Sequence, residues 1–137
     1  MAQISAIAEE REIAARATLF NEGDLGDTLY LIRYGTVAIL RKDRHSGVEE
    51  EVATLGSGSH FGEMALVNDD HKRRASIRAK ENTFLLAFDR EPLEALASED
   101  PSIGLEIYRA LAGALAKRLS AATGHAAHFK AMALKHT

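Results

Sequence analysis

The chain has 137 residues, 46% of them hydrophobic and 27% charged, which suits one domain with an ordinary core and excludes wholesale disorder. A net charge of −3 gives no bulk attraction to a nucleic-acid backbone, and 6% aromatic residues without tryptophan make a poor base-stacking or carbohydrate platform. The absence of cysteine excludes disulfides, thiol catalysis and cysteine-held zinc or iron–sulfur clusters.

In chain order, Ile4–Glu10 reads as one or two turns of helix. Most of the ten glycines then fall between Gly23 and Gly62, spaced as turn residues between short β-rich runs. From Thr28 to Arg41 the residues alternate with the period of a strand, interrupted at Tyr34-Gly35 by a tight turn. Leu29, Leu31, Val37 and Ile39 are expected on one face, and Tyr30, Ile32, Ala38 and Leu40 on the other. Both faces are apolar, which predicts strands covered on both sides, as in a closed barrel or jelly roll. Arg41–Glu51 is charged around a hairpin tip at Ser46-Gly47, and Val48–Leu55 is the returning strand. A charged loop, Asn68–Arg74, precedes two more strands, Ala75–Ala79 and Thr83–Asp89.

After Arg90 the pattern becomes helical. Pro92 marks a start, Leu93, Leu96 and Ala97 recur at helical spacing, and Asp100-Pro101 ends that helix and begins another. Ile103, Ile107, Leu111, Leu115 and Leu119 form an apolar stripe on an alanine-rich helix. The stretch Leu93–Leu119 carries Glu94, Glu99, Asp100, Glu106 and Arg109, so it does not approach the ~18 uninterrupted apolar residues that span a bilayer. With no secretory signal read at the start, the chain is expected to be soluble and cytoplasmic. The predicted fold class is α+β. It comprises a small antiparallel, jelly-roll-like β-roll over about residues 12–89, a short helix after Gly62, and C-terminal helices at about 91–127. All belong to one domain, 1–137, whose tail at 128–137 is expected to fray.

Two stretches carry more than fold. One is Leu19-Phe20-Asn21-Glu22-Gly23-Asp24-Leu25-Gly26-Asp27-Thr28-Leu29-Tyr30, continuing to Gly35. The other is Phe61-Gly62-Glu63-Met64-Ala65-Leu66, followed by Arg73-Arg74-Ala75-Ser76-Ile77-Arg78-Ala79. In the second, Gly62 permits close backbone approach, and Glu63–Leu66 has the propensity to start a short helix whose free amides attract phosphate. Arg73 or Arg74 adds a flat fork of donors that matches two phosphate oxygens. Glu63 would repel an anion, so beside a phosphate it calls for hydroxyls to accept from, as a ribose provides. Anion plus hydroxyl means nucleotide. Taken singly, Glu63 reads as a helix N-terminal charge, the two arginines as a solvated loop and the glycine pattern as turn chemistry. Together with Phe61-Gly62 they point to a pocket.

These residues resemble the cyclic nucleotide-binding domain, the sensor module of catabolite activator-type regulators, protein kinase A regulatory subunits and cyclic-nucleotide-gated channels. The family's phosphate cassette runs Phe-Gly-Glu, aliphatic, Ala-Leu, a short loop, then Arg, a small residue and Ala. The Gly23-Asp24, Gly26-Asp27, Tyr30 and Gly35 pattern resembles its early turns. The resemblance implies that Glu63 accepts from the ribose 2′-hydroxyl and Arg73 pairs with the cyclic phosphate. It implies that Gly62, Met64, Ala65 and Arg74 contribute backbone groups. The Ile103–Leu119 helix would be a lid or hinge, or a homodimer contact. Where the family has a small residue this chain has Arg74, which is a second phosphate contact, a solvent-facing side chain or, with the loop shifted by one, the principal ligand. A hydroxyl at that position accompanies guanine preference in the family, so its absence favours cyclic AMP, with cyclic GMP second.

The implied function is a non-enzymatic sensor, without a cofactor of its own, free-standing or part of a larger effector or membrane protein. The chain itself would contact neither nucleic acid nor membrane. A domain of the same fold that has lost its ligand and serves as an interaction module is the alternative. A cupin-type metal enzyme would need clustered histidines, and the chain has His60-x-x-Glu63 and His125-x-x-His128 but no His-x-His.

Overall fold

The β-branched and aromatic residues between Thr28 and Lys42 favour the pleated backbone, and here they build the centre of two antiparallel sheets. The structure, a computed structural model, describes residues 6–63, 70–110, 112, 113 and 116. The strands are β1 (Glu9–Ile13), β2 (Thr18–Phe20), β3 (Thr28–Tyr34), β4 (Val37–Lys42), β5 (Glu49–Leu55), β6 (His60–Phe61), β7 (Ser76–Ala79) and β8 (Thr83–Asp89). One sheet has the order β1-β8-β3-β6 and the other β2-β7-β4-β5. This is the α+β, antiparallel β-roll expected from the glycine punctuation.

Tyr34-Gly35 does turn the chain, but not into a hairpin. β3 pairs with β6 and β8, and β4 with β5 and β7, so the turn carries the chain from one sheet to the other. This corrects the expected faces. The buried cluster contains Tyr30, Ile32, Phe61, Leu85 and Ala87 from the first sheet and Val37 and Ile77 from the second, with Ile39 packed against it. Alternation within each strand held. The crossing shifted the phase between them, bringing Tyr30 and Ile32 together with Val37. Leu29, Ala38 and Leu40 are also buried, so neither central strand has a fully wet face.

The crossing is held by Thr83, which has no exposed surface. Its hydroxyl lies 2.8 Å from the Glu81 carbonyl and 3.3 Å from both the Thr36 amide and carbonyl, while the Lys80 amide donates to the Thr36 carbonyl at 2.9 Å. Gly35 has φ +112°, and a Cβ there would lie 2.4 Å from Thr83 Oγ1 and 2.8 Å from its Cα. Only glycine satisfies both demands.

The β4–β5 hairpin has its tip at Asp43–Val48, as the Ser46-Gly47 signal predicted. The helix expected near Ile4–Glu10 is not formed over its second half. Ala6 is helical, but Glu9 begins a strand that pairs with β8. Glu9-Glu10-Arg11-Glu12 has no apolar alternation to reveal it, because this edge strand buries little beyond part of Ile13. Charged edges of this kind discourage strand addition.

Residues 1–96 and 97–137 form two compact units. Helix α1 (Arg90–Glu99) holds Pro92 in its first turn, where the missing amide costs no internal bond. Helix α2 covers residues 101–110. Asp100 caps it, with its carboxylate 2.7 Å from the Ser102 hydroxyl and 3.2 Å from the Ser102 amide. Of the predicted stripe, Ile103 is buried and Ile107 half-buried. Leu111, Leu115, Leu119 and the predicted tail lie outside the described residues. No helix among the described residues is long and apolar enough to cross a membrane.

Candidate functional site

The two motif stretches meet through their backbones. The Arg73 amide donates to the Asp24 carbonyl, the Gly23 amide to the Arg73 carbonyl and the Gly26 amide to the His71 carbonyl, each at 2.8 Å. Leu25 and Lys72 form a bridge between them. The Gly23–Gly26 turn, which sequence reading left without a ligand role, is therefore the wall against which Arg73 is set. A Cβ on Gly26 would lie 2.6 Å from Arg73 Nε.

Arg73 is 7% exposed. Its guanidinium carbon sits 4.2 Å from the centre of the Phe20 ring and 5.9 Å from that of Tyr30, and Nη1 donates to the Thr28 carbonyl at 3.0 Å. Tyr30 and Phe61 stack at 5.2 Å, with Phe20 completing the aromatic bed at about 6 Å from each. Among the described residues no carboxylate comes within ion-pair distance of Arg73. Burial lowers its affinity for the proton, with Tyr30, Asp27 and Asp24 opposing that shift. It stays a cation, since guanidinium does not deprotonate in proteins.

Removing a cation from water costs several kcal/mol. A cation–π contact returns about 0.5–2 kcal/mol and one charged hydrogen bond about 1.5–3 kcal/mol. That offset is partial. Arg74 differs in every respect. It is half exposed and pairs with Asp70 at 2.8 Å. The two adjacent arginines thus divide into an inward and an outward one.

Gly62 follows β6 at φ +84°, and a Cβ there would lie 2.7 Å from the Thr28 carbonyl oxygen and 3.0 Å from Arg73 Nη1. This contact brings the Phe61-Gly62-Glu63 turn beside Arg73. Glu63 is in the turn and 5% exposed, with Oε2 at 3.6 Å from His60 Nδ1. Met64, Ala65 and Leu66, with the rest of the predicted short helix, lie outside the described residues. Sequence reading missed Phe20, the Thr28 carbonyl and Gly26 as parts of this site. The only signal for Phe20 was its place beside the first glycine turn. Among the described residues no cluster of histidines and carboxylates could hold a metal.

A surface groove lined by β1, β3 and β8, including Arg33, Tyr34 and Phe84, shares no residue with this cluster. Arg11 pairs with Glu9 at 3.0 Å and Arg33 with Glu10 at 3.4 Å, so its cations are already neutralised.

The fold is an antiparallel β-roll in which Arg73 is buried behind a glycine turn, with no carboxylate partner among the described residues. The family profile described as the cyclic nucleotide-binding domain matches residues 10–100, and the chain belongs to that family. It is 43% identical over 101 residues to the cyclic AMP receptor protein of Thermus thermophilus, covering 74% of this chain and 44% of the relative. It is 31% identical over 100 residues to cGMP-dependent protein kinase isozyme 1 of Drosophila melanogaster, covering 72% of this chain and 13% of the kinase. Among solved structures, a cyclic nucleotide-binding domain from Methylobacillus flagellatus superposes with TM-score 0.78 at 28% identity, covering 83% of this chain and 63% of that one. The chain therefore spans less than half the length of these two curated relatives.

Proposed function

We propose that this chain is a non-enzymatic sensor module for a cyclic purine nucleotide, cyclic AMP ahead of cyclic GMP. The observation that carries the reading is Arg73, buried on Phe20 with no carboxylate partner among the described residues. In this reading the cyclic phosphate pairs with Arg73 and with backbone groups of Gly62, Met64 and Ala65. Glu63 accepts from the ribose 2′-hydroxyl. Arg74, tied to Asp70 at the surface, contributes its backbone and not its charge. The absence of a hydroxyl side chain at position 74 supports adenine over guanine.

Residues 1–137 act as one domain in this proposal, in the cytoplasm, where a cysteine-free chain is at home. Ligand shifts a population between two arrangements of the helices after Glu91, and can do so only by binding one better than the other. A coupling of about 1–3 kcal/mol is the usual scale for such a switch. The stripe from Ile103 to Leu119 is the proposed relay, either to an attached effector or to a second copy of the chain.

Calorimetric titration with cyclic AMP and cyclic GMP tests the reading. Binding of either, with cyclic AMP tighter, is expected. Ligand at a hundred times its dissociation constant should add about 2.7 kcal/mol of apparent stability. Absence of both heat and thermal stabilisation at millimolar ligand would instead identify a ligand-free interaction module. Glu63→Ala should weaken cyclic AMP by about tenfold or more while scarcely changing the 2′-deoxy analogue.

A further inference from the structure

We propose that Thr28 and Asp89 are positioning residues for the phosphate arginine, their side chains fixing the backbone carbonyl on which Arg73 rests and tying it to the first turn of α1. The inference rests on the reading of Arg73 as the phosphate ligand given above and adds two residues to it.

Three observations carry it. The Thr28 carbonyl is a meeting point: Arg73 Nη1 donates to it at 3.0 Å, and Gly62 approaches so closely that a Cβ there would lie 2.7 Å from its oxygen. Secondly, Thr28 is held through its side chain. Its hydroxyl donates to Asp89 Oδ1 at 2.8 Å, and the two residues are register partners at the start of β3 and the end of β8. Thirdly, the preceding carbonyl, that of Asp27, accepts from the Arg90 amide at 2.9 Å, and Arg90 is the first residue of α1.

Chemistry gives this grip a purpose. A guanidinium matches two phosphate oxygens only when its plane is correctly set, and the acceptor of Nη1 helps to set that plane. The acceptor here is a backbone carbonyl, so it moves only if the peptides around Thr28 move. Asp89 and the Arg90 amide hold those peptides. The first amides of a helix have no partner inside it, so the Arg90 amide takes its acceptor from this turn. A ligand that favours one arrangement of Arg73 and Thr28 therefore also favours one arrangement of the start of α1, and linkage makes the effect reciprocal. Strand pairing alone would have been served as well by valine at position 28.

The test joins calorimetric affinity for cyclic AMP to amide hydrogen exchange, both on the full chain. In wild type, saturating cyclic AMP should slow exchange of the Arg90 amide by at least about fivefold, a coupling of about 1 kcal/mol. Thr28→Val keeps the branched shape and removes the hydroxyl. It should weaken cyclic AMP by about threefold or more, the scale of one net hydrogen bond. At saturation it should also lose the slowing at Arg90, while the Gly26 amide on the Arg73 wall is still slowed. Asp89→Ala should match Thr28→Val, and the double variant should be no weaker than either. Asp89→Asn keeps an acceptor oxygen and should stay within about twofold of wild type. In the Arg73→Ala background, titrated at millimolar ligand, Thr28→Val should change nothing further. If Thr28→Val does not fold, Asp89→Ala carries the same measurements. Wild-type affinity in Thr28→Val, or an Arg90 slowing that survives it, overturns the proposal while leaving Arg73 in place. Weakening that persists undiminished in the Arg73→Ala background does the same. A chain whose affinity is indifferent to Arg73→Ala overturns the reading of Arg73 and this proposal together.

Discussion

Two corners of the roll bury a polar side chain against a glycine, and they resolve the cost in opposite ways. At the sheet crossing, the Thr83 hydroxyl meets the Thr36 amide and the Glu81 carbonyl, so its bonding capacity is spent within the protein. At the other corner, the five N–H groups of Arg73 make one hydrogen bond among the described residues, to the Thr28 carbonyl. Both positions are buried, so burial alone does not separate the two roles. The distinction lies in whether the buried group's partners are already present. A satisfied group locks the fold, and under the proposed function a cation with few partners among the described residues is the place for an anionic ligand.

The largest expected effect tests the second corner. Arg73→Ala should weaken cyclic AMP by at least about a hundredfold, since two charge-assisted bonds are lost. Arg74→Ala should change affinity by less than about threefold, as an exposed ion pair contributes little. Titration calorimetry of both variants checks this, and a reversed order would assign the phosphate to Arg74.

The glycines break the comparison from the other side. Gly35→Ala places a methyl against the Thr83 backbone at a positive φ, so at least about 3 kcal/mol of stability should be lost. Thermal unfolding should show a fall of about 10 °C, with nucleotide affinity kept below the transition. Gly26→Ala meets only the far end of the Arg73 side chain. That guanidinium can move, so the variant should melt within a few degrees of wild type and lose about tenfold in affinity. If Gly26→Ala instead lowers the melting temperature as much as Gly35→Ala and binds normally below its transition, the two corners are alike.

The smallest effect lies far from either corner. The Ser102 hydroxyl, followed by the Ile103 and Ser102 amides, holds the Asp100 carboxyl below its ordinary value of 3.8. A depressed folded-state value means its stabilisation is complete above the unfolded value and is lost as pH falls through the folded one. Wild type and Asp100→Ala should therefore differ slightly at neutral pH, and their acid-unfolding curves should converge below that range.

Much of this was legible in residues alone. Ser46-Gly47 announced a hairpin, Asp100-Pro101 a helix boundary, and Phe61-Gly62-Glu63 with the arginine pair the cyclic nucleotide-binding family. Glu9–Ile13 was not legible, because an exposed edge strand need not alternate. Nor was Phe20 as the bed of Arg73, since the contact joins residues 53 positions apart.

The sequence by itself determined the local conformations: where the chain turns, where it extends and where helices begin. It also placed the chemistry-bearing residues in the Phe61–Arg74 stretch. These follow from backbone sterics and side-chain type, which act over a few residues. Only the tertiary structure decided that β3 and β4 belong to different sheets, that Arg73 points inward while Arg74 points out, and that His60 faces Glu63. Those outcomes depend on which distant surfaces compete to exclude water, and on which glycines leave room for that approach.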